Sequence, residues 1–194
     1  SAAAHVARRV VSVDLERPDD VDVVMVDADS LVLRATEETV SPGRYGLWFD
    51  GGTGHARIGE VLRNDQKSGT VVRQLIGIDH GVVVPGAARW NQYYFAGTPE
   101  SALGLPFETV DIPTECGPMP AWLVPPPLGQ VNGGTWAILV HGRGATREEC
   151  LRALSVLNRI GVTSLVISYR NDRDMASSPR GRYLLGDSEW TDRS

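Results

Sequence analysis

Trp136-Ala137-Ile138-Leu139-Val140-His141-Gly142-Arg143-Gly144 sets the fold class expected of this chain. Five consecutive apolar residues suit a strand buried on both faces, and the glycines behind them mark a loop at its carboxyl end. A helix follows. Thr146-Arg147-Glu148-Glu149 has the form of a capping box, in which the Thr146 hydroxyl accepts from the Glu149 amide and the Glu149 carboxylate reaches back to Thr146. Cys150, Leu151, Leu154, Leu157 and Ile160 share one face at helical spacing, and Gly161 stands where a left-handed C-cap is wanted. Val162 to Ser168 reads as a second buried strand, ending in Tyr169-Arg170-Asn171-Asp172. Strand, helix and strand joined by short loops predict a βαβ unit with parallel pairing and a right-handed crossover.

Upstream of this unit, Phe107 to Ile112 and Ala121 to Val124 read as a hairpin around Glu115-Cys116-Gly117-Pro118, ended by Pro125-Pro126-Pro127. Tyr93 to Pro106, with Gly and Pro interspersed, is expected to be a linker. The region before it has a different grammar. Val21 to Val26, Leu31 to Ala35, Tyr45 to Phe49, Ala56 to Leu62, Val71 to Ile76 and Val82 to Val84 are short β-type runs, several of them alternating apolar with polar residues. Ser41-Pro42-Gly43, Asp50-Gly51-Gly52-Thr53-Gly54 and Asn64-Asp65-Gln66-Lys67-Ser68-Gly69 supply the turn chemistry between them. The expected class is therefore α/β: a flexible N-terminal tail over 1–20, an all-β small barrel or sandwich over 21–97, and a strand hairpin with one βαβ unit over 98–194. Asp14, Glu16, Asp19, Asp20 and Asp22 make the end of that tail acidic and solvated.

Composition excludes several classes. With 42 % hydrophobic and 22 % charged residues, the 194-residue chain is neither disordered nor collagen-like. Its 19 basic and 24 acidic residues leave a net charge of -5, and the basic ones are scattered, which argues against a nucleic-acid partner. Lys67 is the only lysine, a bias expected of a high-GC genome. Cys116 and Cys150 lie too far apart for a zinc motif or a disulfide framework. No run approaches the roughly 18 apolar residues of a membrane span. The chain opens on Ser1 rather than Met, so the cytoplasm is the default location and the cell envelope the alternative if an upstream anchor has been removed.

Phe107-Glu108-Thr109-Val110-Asp111-Ile112, Pro120-Ala121-Trp122-Leu123-Val124-Pro125, the 136–144 stretch and Val166-Ile167-Ser168-Tyr169-Arg170-Asn171-Asp172 together resemble the opening of the α/β-hydrolase superfamily. The likeness is greatest to a bacterial, actinobacterial esterase or peptidase-like branch, whose Tyr-Arg-Asn is followed by a glycine-rich loop and Glu-Trp-x-Asp. Leu185-Gly186-Asp187-Ser188-Glu189-Trp190-Thr191-Asp192 is the matching stretch here. The resemblance implies a serine hydrolase acting on an ester, thioester or peptide, with the backbone amide of Arg143, between Gly142 and Gly144, donating to an oxyanion. His141, Tyr169, Arg170 and Asn171 are the implied crevice residues, and no metal or cofactor is implied. The family also needs a GxSxG serine, then an acid and a late histidine. This sequence has none: its histidines are His5, His55, His80 and His141. The chain is thus expected to be the truncated front portion of such an enzyme, catalytically silent alone.

From the residues alone, the loop is a ligand site of the kind found at strand carboxyl ends, where free amides face developing negative charge, or else a tight turn with His141 buried and hydrogen-bonded. Arg170, Asp172, Arg173 and Asp174 line the same crevice or form surface ion pairs. Gly51-Gly52-Thr53-Gly54-His55 has phosphate-loop composition, but strand-like residues follow it, so a hairpin turn is expected. His55 and His80 lack the supporting ligands of a metal site. The reading from a different class is a non-catalytic binding or oligomerisation protein using the β-rich module; a complete ligand-binding protein is a third. An unpaired strand 136–140 would form a homodimer or bind a missing C-terminal half.

Overall fold

The computed structural model describes residues 2–13, 17–129, 134–173, 175, 177–178 and 181–183. Asp14, Glu16, Asp174 and the 185–192 stretch lie outside the described residues. The chain divides into two compact units, Arg17–Ala96 and Ser1–Glu16 with Gly97–Ser194.

The first unit is a closed barrel. Strands β1 (Val21–Val26), β2 (Ser30–Arg34), β3 (Tyr45–Phe49), β4 (Gly54–Asp65), β5 (Thr70–His80) and β6 (Gly86–Asn91) follow the order β1-β2-β5-β4-β3-β6, and β6 pairs back onto β1. Every pairing in it is antiparallel. The alternation of side chains makes the core: Leu31 and Leu33 on β2, Leu47 on β3, Ile58 on β4 and Val71 on β5 all point inward and are fully buried. The glycine-rich stretch after Asp50 is the β3–β4 hairpin connection. Val82 to Val84 is not a strand; the sixth strand is Gly86–Asn91 instead.

One inward side chain on β5 is a cation. Arg73 is fully buried, and its guanidinium donates to the carbonyl oxygens of Thr39 at 3.1 Å, Ser41 at 2.7 Å and Gly43 at 2.8 Å, and to that of Gly59. Its carbon lies 5.3 Å from the Tyr45 ring and 5.4 Å from the Trp90 ring, which themselves pack 4.7 Å apart. Burial opposes the charge, and the acceptors and ring faces offset that penalty. The β2–β3 loop is pinned by this hub and by Thr39, whose hydroxyl accepts from the Thr36 amide at 2.8 Å and donates to the Arg34 carbonyl at 3.0 Å.

The second unit holds a four-stranded sheet in the order β7 (Glu108–Ile112), β8 (Met119–Val124), β10 (Thr163–Ile167), β9 (Trp136–Leu139). Two helices precede it in the chain, α1 (Ala2–Val11) and α2 (Pro99–Leu103), and α3 (Leu151–Arg159) links β9 to β10. Helix α1 falls in the stretch read as a tail and α2 in the stretch read as a linker. Thr98 caps α2 reciprocally with Ser101, a box that the linker reading missed.

The α/β class expected from the sequence does not hold. The chain is mostly β, 40 % strand against 17 % helix, and no α/β-hydrolase-like arrangement is evident. Physically, β9 and β10 make the one parallel pairing among the described strands, while β10 turns antiparallel to β8 and β8 to β7. A parallel sheet covered on both faces is therefore not formed. Nor is Trp136–Val140 buried on both faces. It lies at the sheet edge, with Trp136, Ile138 and Val140 exposed by 59 %, 65 % and 40 %. Only the alternate residues Ala137 and Leu139 are half-buried, on the sheet face shared with buried Val166. On α3, Leu151 and Leu154 are buried as the spacing predicts, but Ile160, just past its end, is exposed.

Replacing Arg73 with Met strands four carbonyls inside the barrel and should lower unfolding free energy by about 3 kcal/mol or more. Lysine, lacking the fork, should recover little of it. Urea unfolding followed by the Trp48 and Trp90 fluorescence of the barrel measures both variants.

Candidate functional site

The loop that leaves β9 is braced from inside. The His141 ring is buried, with Nε2 2.9 Å from Asp172 Oδ2 and Nδ1 3.1 Å from the Gly142 carbonyl oxygen. It stacks on Tyr169 at 4.4 Å with planes 13° apart. The Tyr169 hydroxyl donates to the carbonyls of His141 at 3.0 Å and Gly142 at 3.2 Å, and the Tyr169 amide donates to Asp172 Oδ2 at 3.0 Å. The carboxyl ends of β9 and β10 are thereby tied together. Both nitrogens of His141 already face partners, so neither is presented to a ligand as a general base would be.

Gly144, at φ +69°, makes the reversal that lets the Ala145 amide donate to the Gly142 carbonyl at 3.0 Å. The amides expected to face an oxyanion divide. Gly142 N–H donates to Glu149 Oε2 at 2.7 Å, so the protein's own carboxylate holds it. Arg143 N–H has no acceptor among the described residues. The Arg143 guanidinium lies 5.6 Å from the Tyr183 ring. Because Glu149 is spent on Gly142, the capping box expected at Thr146 does not form. Thr146 makes no side-chain cap and donates its hydroxyl to Glu148, and a 3-10 turn over Arg147–Cys150 precedes α3.

Tyr169, Arg170 and Asn171, expected to line a crevice, are all buried. Asn171 adopts a left-handed conformation, φ +70°, and braces the following segment through its Oδ1, which accepts from Ser178 N at 2.8 Å, and its Nδ2, which donates to the Arg182 carbonyl at 3.2 Å. The open wall is elsewhere. A cavity of about 310 Å³ is lined by Leu139, Val140, Gly142, Glu149, Cys150 and Arg152, so of the sequence-predicted site residues only Gly142 borders it. Burial pushes the Cys150 thiol up to about 11, with the Glu149 charge adding to it, which keeps the sulfur protonated and unreactive at neutral pH. Arg147, whose charge burial also disfavours, packs 4.4 Å from the Trp122 ring.

The barrel contains a second histidine–carboxylate pair. His55 is fully buried, with Nδ1 2.8 Å from Asp79 Oδ2, while Arg57 Nε donates to Asp79 Oδ1 at 2.9 Å. Its Nε2 is buried without a partner among the described residues. A side chain on Gly46 would place Cβ 2.7 Å from that nitrogen and 2.2 Å from the Tyr93 carbonyl oxygen, so only glycine fits there. Burial lowers the His55 pKa from its ordinary 6.5, and Asp79 offsets this only in part. His80 sits across the ladder from His55, but no group of three or more potential metal ligands occurs among the described residues.

Glu149 and Arg73, the two side chains that organise the loop and the barrel, were not distinguished as such by the sequence. Glu149 had a plausible local role as a cap, and it lies seven positions beyond Gly142. Residues 22–91 match the family described as "Domain of unknown function (DUF8805)", a span running from β1 through β6. No curated protein matches the chain, and neither does any solved structure.

Two outcomes follow from these pairs. A histidine with a lowered pKa in the folded state takes up protons on unfolding, so its contribution is present above pH 6.5 and is lost as pH falls below that value. Stability of the barrel should decline with acidification over that range, and His55→Gln should flatten the slope in urea titrations at successive pH values. Asp172→Ala removes the acceptor for His141 Nε2 and Tyr169 N. At about 2 kcal/mol for the groups left unpaired, amide hydrogen exchange at Tyr169 should speed up roughly thirtyfold, with barrel amides unchanged.

Proposed function

We propose that the chain is a non-catalytic interaction protein that pairs with a second copy of itself through strand β9. The supporting observation is the exposed apolar edge. Sheet edges carry unpaired N–H and C=O groups, and proteins protect them with Lys, Pro or a bulge. Residues 136–140 contain neither Lys nor Pro, and the β9–β10 ladder runs in continuous register. The barrel offers no open strand edge, since its six strands close on one another. An apolar stripe at an open edge marks a surface meant for contact.

The second copy fits by symmetry. Antiparallel pairing centred on Ile138 sets Ile138 opposite its own copy and Trp136 opposite Val140, all on one face, which is an isologous apolar match. The strand has no charge, so two chains of net charge -5 meet where their repulsion is least. The absence of catalysis is supported by the engaged nitrogens of His141, the protonated thiol of Cys150 and the occupied amide of Gly142.

A second reading is favoured by one observation, the Arg143 N–H without a described acceptor. In it this amide faces the carbonyl oxygen of an ester, thioester or peptide during acyl transfer of serine-hydrolase type, with the nucleophile supplied from outside the described site. Turnover of p-nitrophenyl butyrate by the chain joined to a segment that carries the nucleophile should survive Arg143→Ala but not Arg143→Pro; equal turnover in the proline variant counts against it.

For the first reading, light scattering coupled to size exclusion should give twice the chain mass, and Ile138→Lys should return a folded monomer. A monomer at the highest attainable concentration, or a dimer unaffected by the lysine, would refute the assignment.

A further inference from the structure

We propose that the cavity between β9 and the start of α3 is a binding site for a small monocarboxylate with an apolar tail, its carboxylate position filled by the protein's own Glu149. The Glu149 carboxylate already shows what the site accepts. One oxygen takes the Gly142 N–H at 2.7 Å and the other lies 3.4 Å from Arg152 Nη2. Backbone N–H and guanidinium donors converge on that position, and both favour a negatively charged oxygen pair over a neutral group.

The remaining walls define the tail. Leu139 and Val140 line the cavity with Cys150, whose thiol is kept neutral by burial, so the volume of about 310 Å³ beside the carboxylate position is largely apolar. A ligand with an anionic head and a short hydrocarbon chain satisfies both parts. The Arg152 side chain is 68 % exposed and can follow a new anion, whereas that of Glu149 is 22 % exposed and swings toward solvent when displaced. The site is self-occupied because a tethered carboxylate competes at millimolar or higher effective concentration. Its removal therefore raises affinity for a free carboxylate. This inference needs no chemistry at the loop and stands whether or not the chain self-associates.

Sodium butyrate is the probe, titrated into the full chain while the backbone amide resonances are recorded. Glu149→Ala should bind butyrate roughly tenfold more tightly than the unaltered protein, the equivalent of losing one competing charge-assisted hydrogen bond. Saturating shifts should centre on the Gly142, Arg143 and Arg152 amides. Arg152→Ala added to Glu149→Ala should weaken binding again, and n-butanol should not bind. Glu149→Gln removes the charge but keeps an acceptor for Gly142, and its affinity should fall between the two. If Glu149→Ala does not fold, a gain in Glu149→Gln carries the same conclusion. Three results overturn the proposal: equal affinity with and without the carboxylate at 149 in folded protein, saturating shifts confined to other residues, or butanol binding as well as butyrate.

Discussion

The guanidinium of Arg73 is the constraint from which the barrel's form follows. Strands β2 and β3 are consecutive in sequence but separated in the barrel by β5 and β4, so their connection has to pass across one barrel end. A loop taking that course turns carbonyl oxygens toward the barrel interior, where they need donors. Arg73 on β5 meets three from that loop and one from β4. A planar fork with five donors can serve four divergent acceptors from one fixed position; an ammonium on a flexible stem cannot. The penalty of burying the charge is offset by those dipoles and by the faces of Tyr45 and Trp90. Hydrophobic burial alone would leave the loop carbonyls unsatisfied.

Local pattern carried most of the strand positions and little of what joins them. Val21–Val26 and Tyr45–Phe49 stand where the β-type runs stand in the sequence, because alternation and flanking turn residues are properties of neighbours. Val82 to Val84 looked like a strand and is not one; Val82 and Val84 are solvent-exposed, and the true sixth strand, Gly86-Ala87-Ala88-Arg89-Trp90-Asn91, has no β-branched residue to announce it. Arg73 sits in Val71-Val72-Arg73-Gln74, where nothing marks it as inward, since its acceptors lie 14 to 34 residues away along the chain. The same blindness applies to Glu149. Its local partner was legible, the distant Gly142 amide was not, and the distant partner won because an otherwise unpaired N–H took the carboxylate. The run Trp136–Val140 misled for a third reason: apolar residues in sequence say nothing about whether a neighbour exists to cover them.

Both units hold a buried histidine against an aspartate, with different consequences. In the loop after β9, His141 and Asp172 bridge two strand ends and every ring nitrogen is used, so the pair acts as a fastener. In the barrel, Asp79 orients His55 from a partly exposed position while the far nitrogen has no described partner and no room beside Gly46. A charged imidazolium there would carry a second N–H that makes no hydrogen bond to the described residues. The histidine is thus tolerated as a neutral ring packed against Trp48, 4.6 Å away, and its cost appears as acid sensitivity rather than as reactivity.

Among the described residues of the second unit, β9 and the loop it feeds leave backbone groups without a protein partner. The strand offers an unpaired backbone edge, and the loop offers one amide held by an internal carboxylate and another without a described acceptor. Val140 belongs to both surfaces, exposed beside Trp136 and Ile138 and also lining the cavity together with Glu149. A partner strand laid along β9 would place its Trp136 against Val140 and so touch a wall of the cavity between β9 and α3. Any ligand whose tail shifts Val140 then has unequal affinity for the paired and unpaired forms. By thermodynamic reciprocity the pairing has unequal affinity for the liganded and empty forms to the same degree. An energetic link between the two proposed sites would follow from their sharing this one side chain.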